Sequence, residues 1–276
     1  MPALIRGFGS GKTRRGIAAG LVTLALLLVA AGAAPWLAPA PPAAVALADG
    51  LKGPTTQHPL GQDRLGRDVF ARILYGARAS LLVGGLAVTL SAGIGLLLGG
   101  VSGYVGGRLD EALMRLTEIL QAFPGILLAI AFSAILGPSL TNVVVALSLI
   151  GWVGYARLTR GQVLLARELP YVEAARGLGA AAPRILVGHI APNILAPLLV
   201  EASFGMAGAI VGEASLSFLG LGVQPPTPSW GSMLNEARAY LMVAPHLLLF
   251  PGLAIALVVL GLNLLGDGLR DWLDVR

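Results

Sequence analysis

The chain has 276 residues, of which 56% are hydrophobic and only 12% charged, with a mean hydropathy of +0.81. Such a composition excludes an ordinary soluble domain and calls for several membrane spans. The formal charge of +5 comes without the interleaved basic and aromatic residues of a nucleic-acid groove. It is read as topology signalling and contact with membrane lipid, and the absence of cysteine excludes disulfides, thiolate metal sites and cysteine nucleophiles.

Residues 1–16 carry Arg6, Lys12, Arg14 and Arg15 ahead of an uncharged run from Ile17 to Ala48. A signal peptide has the same layout, but Ile17 to Leu37 is about a full span. The expectation is therefore a cytoplasmic tail over 1–16 and an uncleaved first transmembrane helix over 17–38. Within the tail, Gly7 to Thr13 (GFGSGKT) has the look of a phosphate-binding loop. That pattern would place its first glycine at Arg6, and a span follows instead of a strand–loop–helix unit, so a basic tail is the better reading.

An external segment is expected over 39–78, beginning with the proline-rich exit PAPPAA. Leu65, Val69 and Ile73 recur at i+4 and Asp68 stands four residues before Arg72, which predicts a short amphipathic helix lying on the membrane surface. His58, Asp63 and Asp68 make a poor metal set, and local hydrogen bonding or solvation accounts for them better. Residues 79–267 read as a core of five further spans. Ala79 to Gly107 is uncharged for 29 residues, and Gly84, Gly85, Gly93, Gly95, Gly99 and Gly100 thin one side of it for close helix packing. The uncharged run from Ile119 to Ala156, 38 residues long, is divided by Gly137-Pro138-Ser139 into a third and a fourth span, with a kink expected at Pro124. Ile194 to Gly212, interrupted by Pro197 and Glu201, is the fifth, and Ala239 to Gly266 the sixth, before a charged cytoplasmic tail over 268–276.

Six spans place both termini on one side. With the N-terminus inside, 13 of the 19 basic residues fall in cytoplasmic segments. Five of the arginines lie between Arg157 and Arg184, around the polar insert 167–193. There, Pro170 can open a helix that Gly177 or Gly179 ends, and Pro183 can open a second that Pro192 bounds. This predicts a compact two-helix hairpin with small alanine-rich sides and with Glu173 and Arg176 at its tip, a shape suited to a partner's groove.

The insert resembles the EAA loop of ABC-importer permeases, whose pattern is E-A-A-x3-G-x9-I-x-L-P. Glu173, Ala174, Ala175, Gly179 and Pro192 fall on matching positions, while His189 and Ala191 replace the Ile and the Leu. HPLGQDRLGRDVFARILYGARASL (58–81), GEASLSFLGLGVQPPTPSWG (212–231) and LNLLGDGLRDWLD (262–274) resemble, in order, blocks of the C-type permeases of dipeptide, oligopeptide and nickel importers. The resemblance implies an all-α membrane protein with the type I ABC-importer permease fold in a bacterial inner membrane. It implies pairing with a homologous permease as a heterodimer, two ABC ATPase subunits below and an extracytoplasmic substrate-binding protein above. ATP and Mg would be bound by the ATPases and no cofactor by this chain. Glu173, Ala174, Ala175, Arg176, Gly177, Gly179 and Pro192 would form the ATPase-coupling site.

Glu201 and Glu213, in or beside the fifth span, are candidates for the pathway or a gate, because an intramembrane carboxylate faces water or protein interior. A structural hydrogen bond is an equal reading for Glu213. Glu118 and His246 read as interfacial, and no nucleophile, acid–base or metal constellation suggests an enzyme. A secondary transporter working without an ATPase and a non-transporting membrane scaffold are the alternatives that the residues by themselves leave open.

Overall fold

The structure is a computed structural model that describes residues 11–274. Most of the tail, with the first residues of the phosphate-loop-like stretch, lies outside the described residues, as do positions 275–276. Among the described residues every extended element is helical, apart from one isolated bridge between Gln62 and Asp68. Five helices are long and apolar enough to cross a membrane: α1 (Gly11–Gly32), α3 (Val69–Val105), α6 (Leu140–Ala166), α9 (Ala191–Phe218) together with the short helix before it, and α11 (His246–Asp274). The single turns α2 (Ala34–Leu37) and α8 (Ala182–Ile185) and the two-turn helices α7 (Pro170–Gly177) and α10 (Trp230–Ala237) connect or cap them, and α4 (Gly107–Gln121) and α5 (Gly125–Leu136) complete the set.

The surface helix expected over 58–78 is absent. Its second half is the first turns of α3, one continuous rod of 37 residues or about 55 Å. The helix starts where it does because Asp68 caps it: the carboxylate accepts from the Ala71 N–H at 2.6 Å. The preceding residues are folded inward on backbone hydrogen bonds such as Gln62 N–H to Lys52 O (2.9 Å) and Val69 N–H to Gly61 O (3.0 Å). Asp68 consequently pairs with His58 (2.7 Å), and the expected Asp68–Arg72 pair does not form. Arg72 instead turns to Asp63 (3.5 Å) and to Glu236 of α10 (3.3 Å). Arg67 donates to Asp63 at 2.5 Å and also reaches Glu236. Asp63, Arg67, Asp68 and Arg72 are all buried, so this network clamps the segment before α3 onto α10.

The third span also differs from expectation. Pro124 does more than kink it: α4 and α5 meet at 86° across Ala122–Pro124. Pro124 has no N–H to continue the α4 ladder and instead begins α5 as its N-cap. Gly137, in the left-handed region at φ +88°, ends α5, and Ser139 caps α6 by accepting from Asn142 N–H at 3.1 Å. The division at 137–139 is therefore as read from the sequence, but α5 has 12 residues, only about 18 Å. The fifth span is longer than expected, and the sixth, expected over Ala239–Gly266, is shifted toward the C-terminus, with Arg238–Tyr240 forming a separate turn. α9 runs through Pro197 to Phe218, and α11 begins at His246 and carries the expected C-terminal tail as helix to Asp274.

The ends of these rods gather at two poles. At one, Arg160 grips Asp110 through two bonds of 2.5 and 2.6 Å, and Arg167 donates to the Gly103 carbonyl at 3.0 Å. Both termini run along each other toward this pole, with Gly20 against Gly261 and Gly268 against Ile17. At the other pole lie the Arg67–Glu236 clamp and Arg78, which donates to the carbonyls of Ala31 (2.6 Å) and Gly32 (3.0 Å). Leu140, which opens α6, shares a cleft with Tyr75 and Arg78 at this second pole. The chain must therefore pass from the first pole to the second between Val105 and Leu140. The bent pair α4–α5 makes that passage, giving six crossings with one of them broken.

α3 and α6 form the closest seam. A Cβ on Gly95 would stand 2.4 Å from Tyr155 Cβ, and one on Gly99 would stand 2.2 Å from the Ala156 carbonyl oxygen. Gly84 meets Ile210 of α9 in the same way, whereas a Cβ on Gly85, Gly93 or Gly100 would meet nothing within 4 Å among the described residues, although Gly100 itself is buried. Gly99→Leu should force the seam apart and cost about 3 kcal/mol or more, read as an earlier unfolding transition in detergent. Asp63→Ala leaves Arg67 and Arg72 with one buried counter-charge fewer, and a loss of about 3–5 kcal/mol is expected in the same assay.

Candidate functional site

The insert folds as a hairpin at the first pole. Pro170 supplies a preset φ at the start of α7, and Val172 and Ala175, one turn apart, are buried against Val163, Ala166, Ile185, Ile190 and Ile194. The turn that ends α7 centres on Gly179, whose φ is +83°. Gly179 N–H bonds to the Arg176 carbonyl and Ala180 N–H to the Ala175 carbonyl, both at 3.0 Å, the paired pattern that closes a helix on a left-handed glycine. Gly179 is thus the required stop, whereas Gly177 lies inside α7, and a Cβ there would meet nothing within 4 Å.

Pro192 does not bound the second helix. α8 passes through a wide turn at Leu186–Ile190 straight into α9, with Pro192 in the first turn of α9. The missing N–H of Pro192 deprives the carbonyl four residues earlier of its α-helical partner, and the backbone changes register: Ala191 N–H bonds five residues back to Leu186 O. Asn193 Nδ2 donates to the His189 carbonyl (2.6 Å) and to the Tyr171 hydroxyl (3.2 Å), tying the start of α9 back to α7.

Of the seven expected coupling residues, Glu173, Ala174, Arg176, Gly177, Gly179 and Pro192 are exposed, and Ala175 is an anchor. Arg176 is no free tip charge, because its guanidinium lies 5.9 Å from the Tyr104 ring at the end of α3. Sequence reasoning missed Leu178, which is 89% exposed, and Val187, 72% exposed, the most exposed apolar side chains of an insert that also shows Leu169 and Tyr171 at its surface. Leu178 stands between Gly177 and Gly179, and that apolar residue at a helix-ending glycine turn was the available signal.

The two intramembrane carboxylates part company. Glu213 is wholly buried and accepts from Ser80 Oγ of α3 (2.9 Å) and from Ser217 Oγ (2.7 Å), so it fastens α3 to α9. It lines neither of two clefts, one within the bundle and one toward the first pole. The first cleft, about 460 Å³, lies among α3, α5, α6 and α9, with Ser91, Ile126, Tyr155, Glu201 and Gly205 on its walls. The second, about 630 Å³, is lined by Gln162, Pro197, Glu201, Phe204 and Arg270. Both volumes suit a small solute. Bare glycine backbone shapes the first: a Cβ on Gly205 would stand 2.2 Å from the Tyr155 hydroxyl.

A hairpin at the end of long apolar rods with clefts between them is a transport architecture, and comparison with known proteins decides which. Residues 95–276 match the family described as the binding-protein-dependent transport system inner membrane component. The chain belongs to that family. It is 49% identical over 252 residues to the glutathione transport system permease protein GsiD of Escherichia coli O6:K15:H31, covering 91% of this chain and 83% of that protein. It is 50% identical over 225 residues to the GsiD protein of Pectobacterium atrosepticum, covering 82% and 75%. A chain of the inward-facing MetNI methionine ABC transporter superposes with a TM-score of 0.55 over 74% of this chain and 96% of its own length; at 22% identity that likeness speaks for the fold.

This member of the family is therefore a multi-pass inner-membrane permease subunit of an ABC importer and a non-catalytic transport component. Both the hairpin and Glu201 fall inside the matched region. Gly179→Val places a β-branched residue at φ +83° and should weaken the hairpin by about 1–3 kcal/mol. Faster hydrogen exchange is expected over 170–185, with no change at the α3–α6 seam.

Proposed function

We propose that this permease imports short peptides of the glutathione class, driven by ATPase subunits that grip the 170–185 hairpin. The substrate class is supported by the GsiD relatives, whose names specify glutathione. The observation that carries the coupling role is the division of α7 into two faces. Val172 and Ala175 root it in the bundle, while Glu173, Ala174, Gly177 and Leu178 point away from every other part of this chain. A surface of one carboxylate, one exposed leucine and small residues that nothing in the chain requires to be small is a surface shaped for insertion into a partner. Because α8 and α9 are one continuous path, movement of the hairpin is passed along α9 to Glu201.

In this reading the hairpin pole, with Arg108, Arg115, Arg157, Arg160, Arg167 and Arg176, is cytoplasmic, and the positive-inside rule supports it. The Arg67–Glu236 pole then faces the substrate-binding protein. A homologous permease completes the pathway as a heterodimer, two ATPases bind the ATP and Mg, and this chain needs no cofactor. Glu201 belongs to the pathway, and Glu213 is assigned to holding α3 and α9 together near its outer end.

Glu173→Lys in the assembled transporter tests the coupling role. Uptake of labelled glutathione should fall at least about tenfold, with the ATPases lost on copurification and the permease still present in the membrane. Uptake and copurification at the level of the unsubstituted protein would refute it.

A further inference from the structure

The two clefts share a single lining residue, Glu201. It lies ten residues into α9, about 15 Å along the helix from the hairpin junction and within a helix long and apolar enough to cross a membrane. Among the described residues no side chain donates a hydrogen bond or pairs an ion with its carboxylate. Tyr155 is within reach, but its hydroxyl bonds to the Glu201 main-chain carbonyl (3.4 Å). The first cleft is lined by no lysine, arginine or histidine; its polar groups besides Glu201 are the hydroxyls of Ser91, Tyr155 and Ser215. Contrast Glu213, twelve residues on, where serines satisfy both carboxylate oxygens and the side chain is sealed from the clefts.

An ionised carboxylate accepts hydrogen bonds and donates none, and leaving one unpaired inside a membrane is expensive. The complement is a group with several N–H donors and one positive charge. A primary ammonium is that group, and charge-assisted bonds of this kind are roughly twice as strong as neutral ones. Every unblocked peptide carries one, and the clefts on either side of Glu201 are of a size to hold a di- or tripeptide. We propose that Glu201 is the specificity-determining acceptor for the substrate's protonated amino group as it passes from the first cleft to the second. This rests on the peptide-import reading above. In it, the carboxylate favours passage along the wall that the two clefts share for solutes that carry an amine, and gives no help to those that do not.

The test uses the complete transporter in proteoliposomes, at saturating receptor and saturating labelled glutathione, so that the maximal uptake rate is read. Glu201→Gln is expected to lower that rate about tenfold or more, while Glu201→Asp, which keeps the charge, stays within about threefold of the unsubstituted protein. N-acetylated glutathione, presented to whatever degree the receptor binds it, should be carried no faster by the unsubstituted transporter than by Glu201→Gln. Copurification and melting of the assembly serve as folding controls. Equal losses for Gln and Asp, or a Gln variant as fast as the unsubstituted protein, would overturn the assignment. So would a Gln variant whose assembly falls apart, which would mean that Glu201 pairs with a partner subunit. An unsubstituted transporter that imports no peptide would sink the peptide-import reading instead, so the two failures are distinct.

Discussion

Where α3 lies against α6, Gly95, Gly99 and Gly103 let two backbones touch, and the positions of the other parts depend on that contact. Carbonyl groups of Trp152, Ala156 and Arg160 stand where glycine side chains would be. In a bilayer no hydrophobic force draws one apolar helix to another, so association depends on close van der Waals approach, and only small residues permit it. The seam delivers the end of α3 to the end of α6. There Ser102 and Arg160 share Asp110, Arg167 reaches Gly103, and Tyr104 meets Arg176 of the hairpin. The hairpin is thereby rooted in two rods and is not a loose loop.

The second constraint runs along α9. One path of helix links the hairpin, the shared wall of the two clefts at Glu201 and the buried Glu213 that binds Ser80 of α3. The rod is continuous with the hairpin at one end and fastened to α3 through Glu213 toward the other. The wide turn at 186–190 is the place where this path departs from α-helical register, and it sits between the hairpin and the long apolar part of α9. Such turns inside helices are frequent at functional positions, and here Pro192 is the physical cause. The chain itself is a non-catalytic transport component.

Much of this was legible in residue order. Proline at the start and glycine at the end of α7 follow from backbone dihedrals alone, so residue order places the hairpin. It also places the break at 137–139 and the runs of apolar residues that became α1, α6 and α11. Three things were not. Asp68 was assigned to Arg72 because the two are four residues apart, but a capping role and a histidine ten residues upstream outbid that local pair. Pro124 was given a kink where the chain turns through 86°. Leu178 and Val187 were passed over because, in a chain this apolar, single leucines and valines carry no signal until their exposure is known.

Composition and local backbone chemistry by themselves determined that the chain is an all-helical membrane protein, where most of its spans lie, and which insert folds as a two-helix hairpin. Those properties depend on one segment at a time: hydrocarbon thickness sets the length of an apolar run, and φ preferences set the turns. Tertiary structure alone decided which charges are joined, which glycines are seams and which are not, and which of two intramembrane glutamates is sealed. Glu201 and Glu213 are chemically identical and lie on the same helix. Only the placement of Ser80 and Ser217 beside one, and of two clefts beside the other, separates a fastening from a candidate passage group.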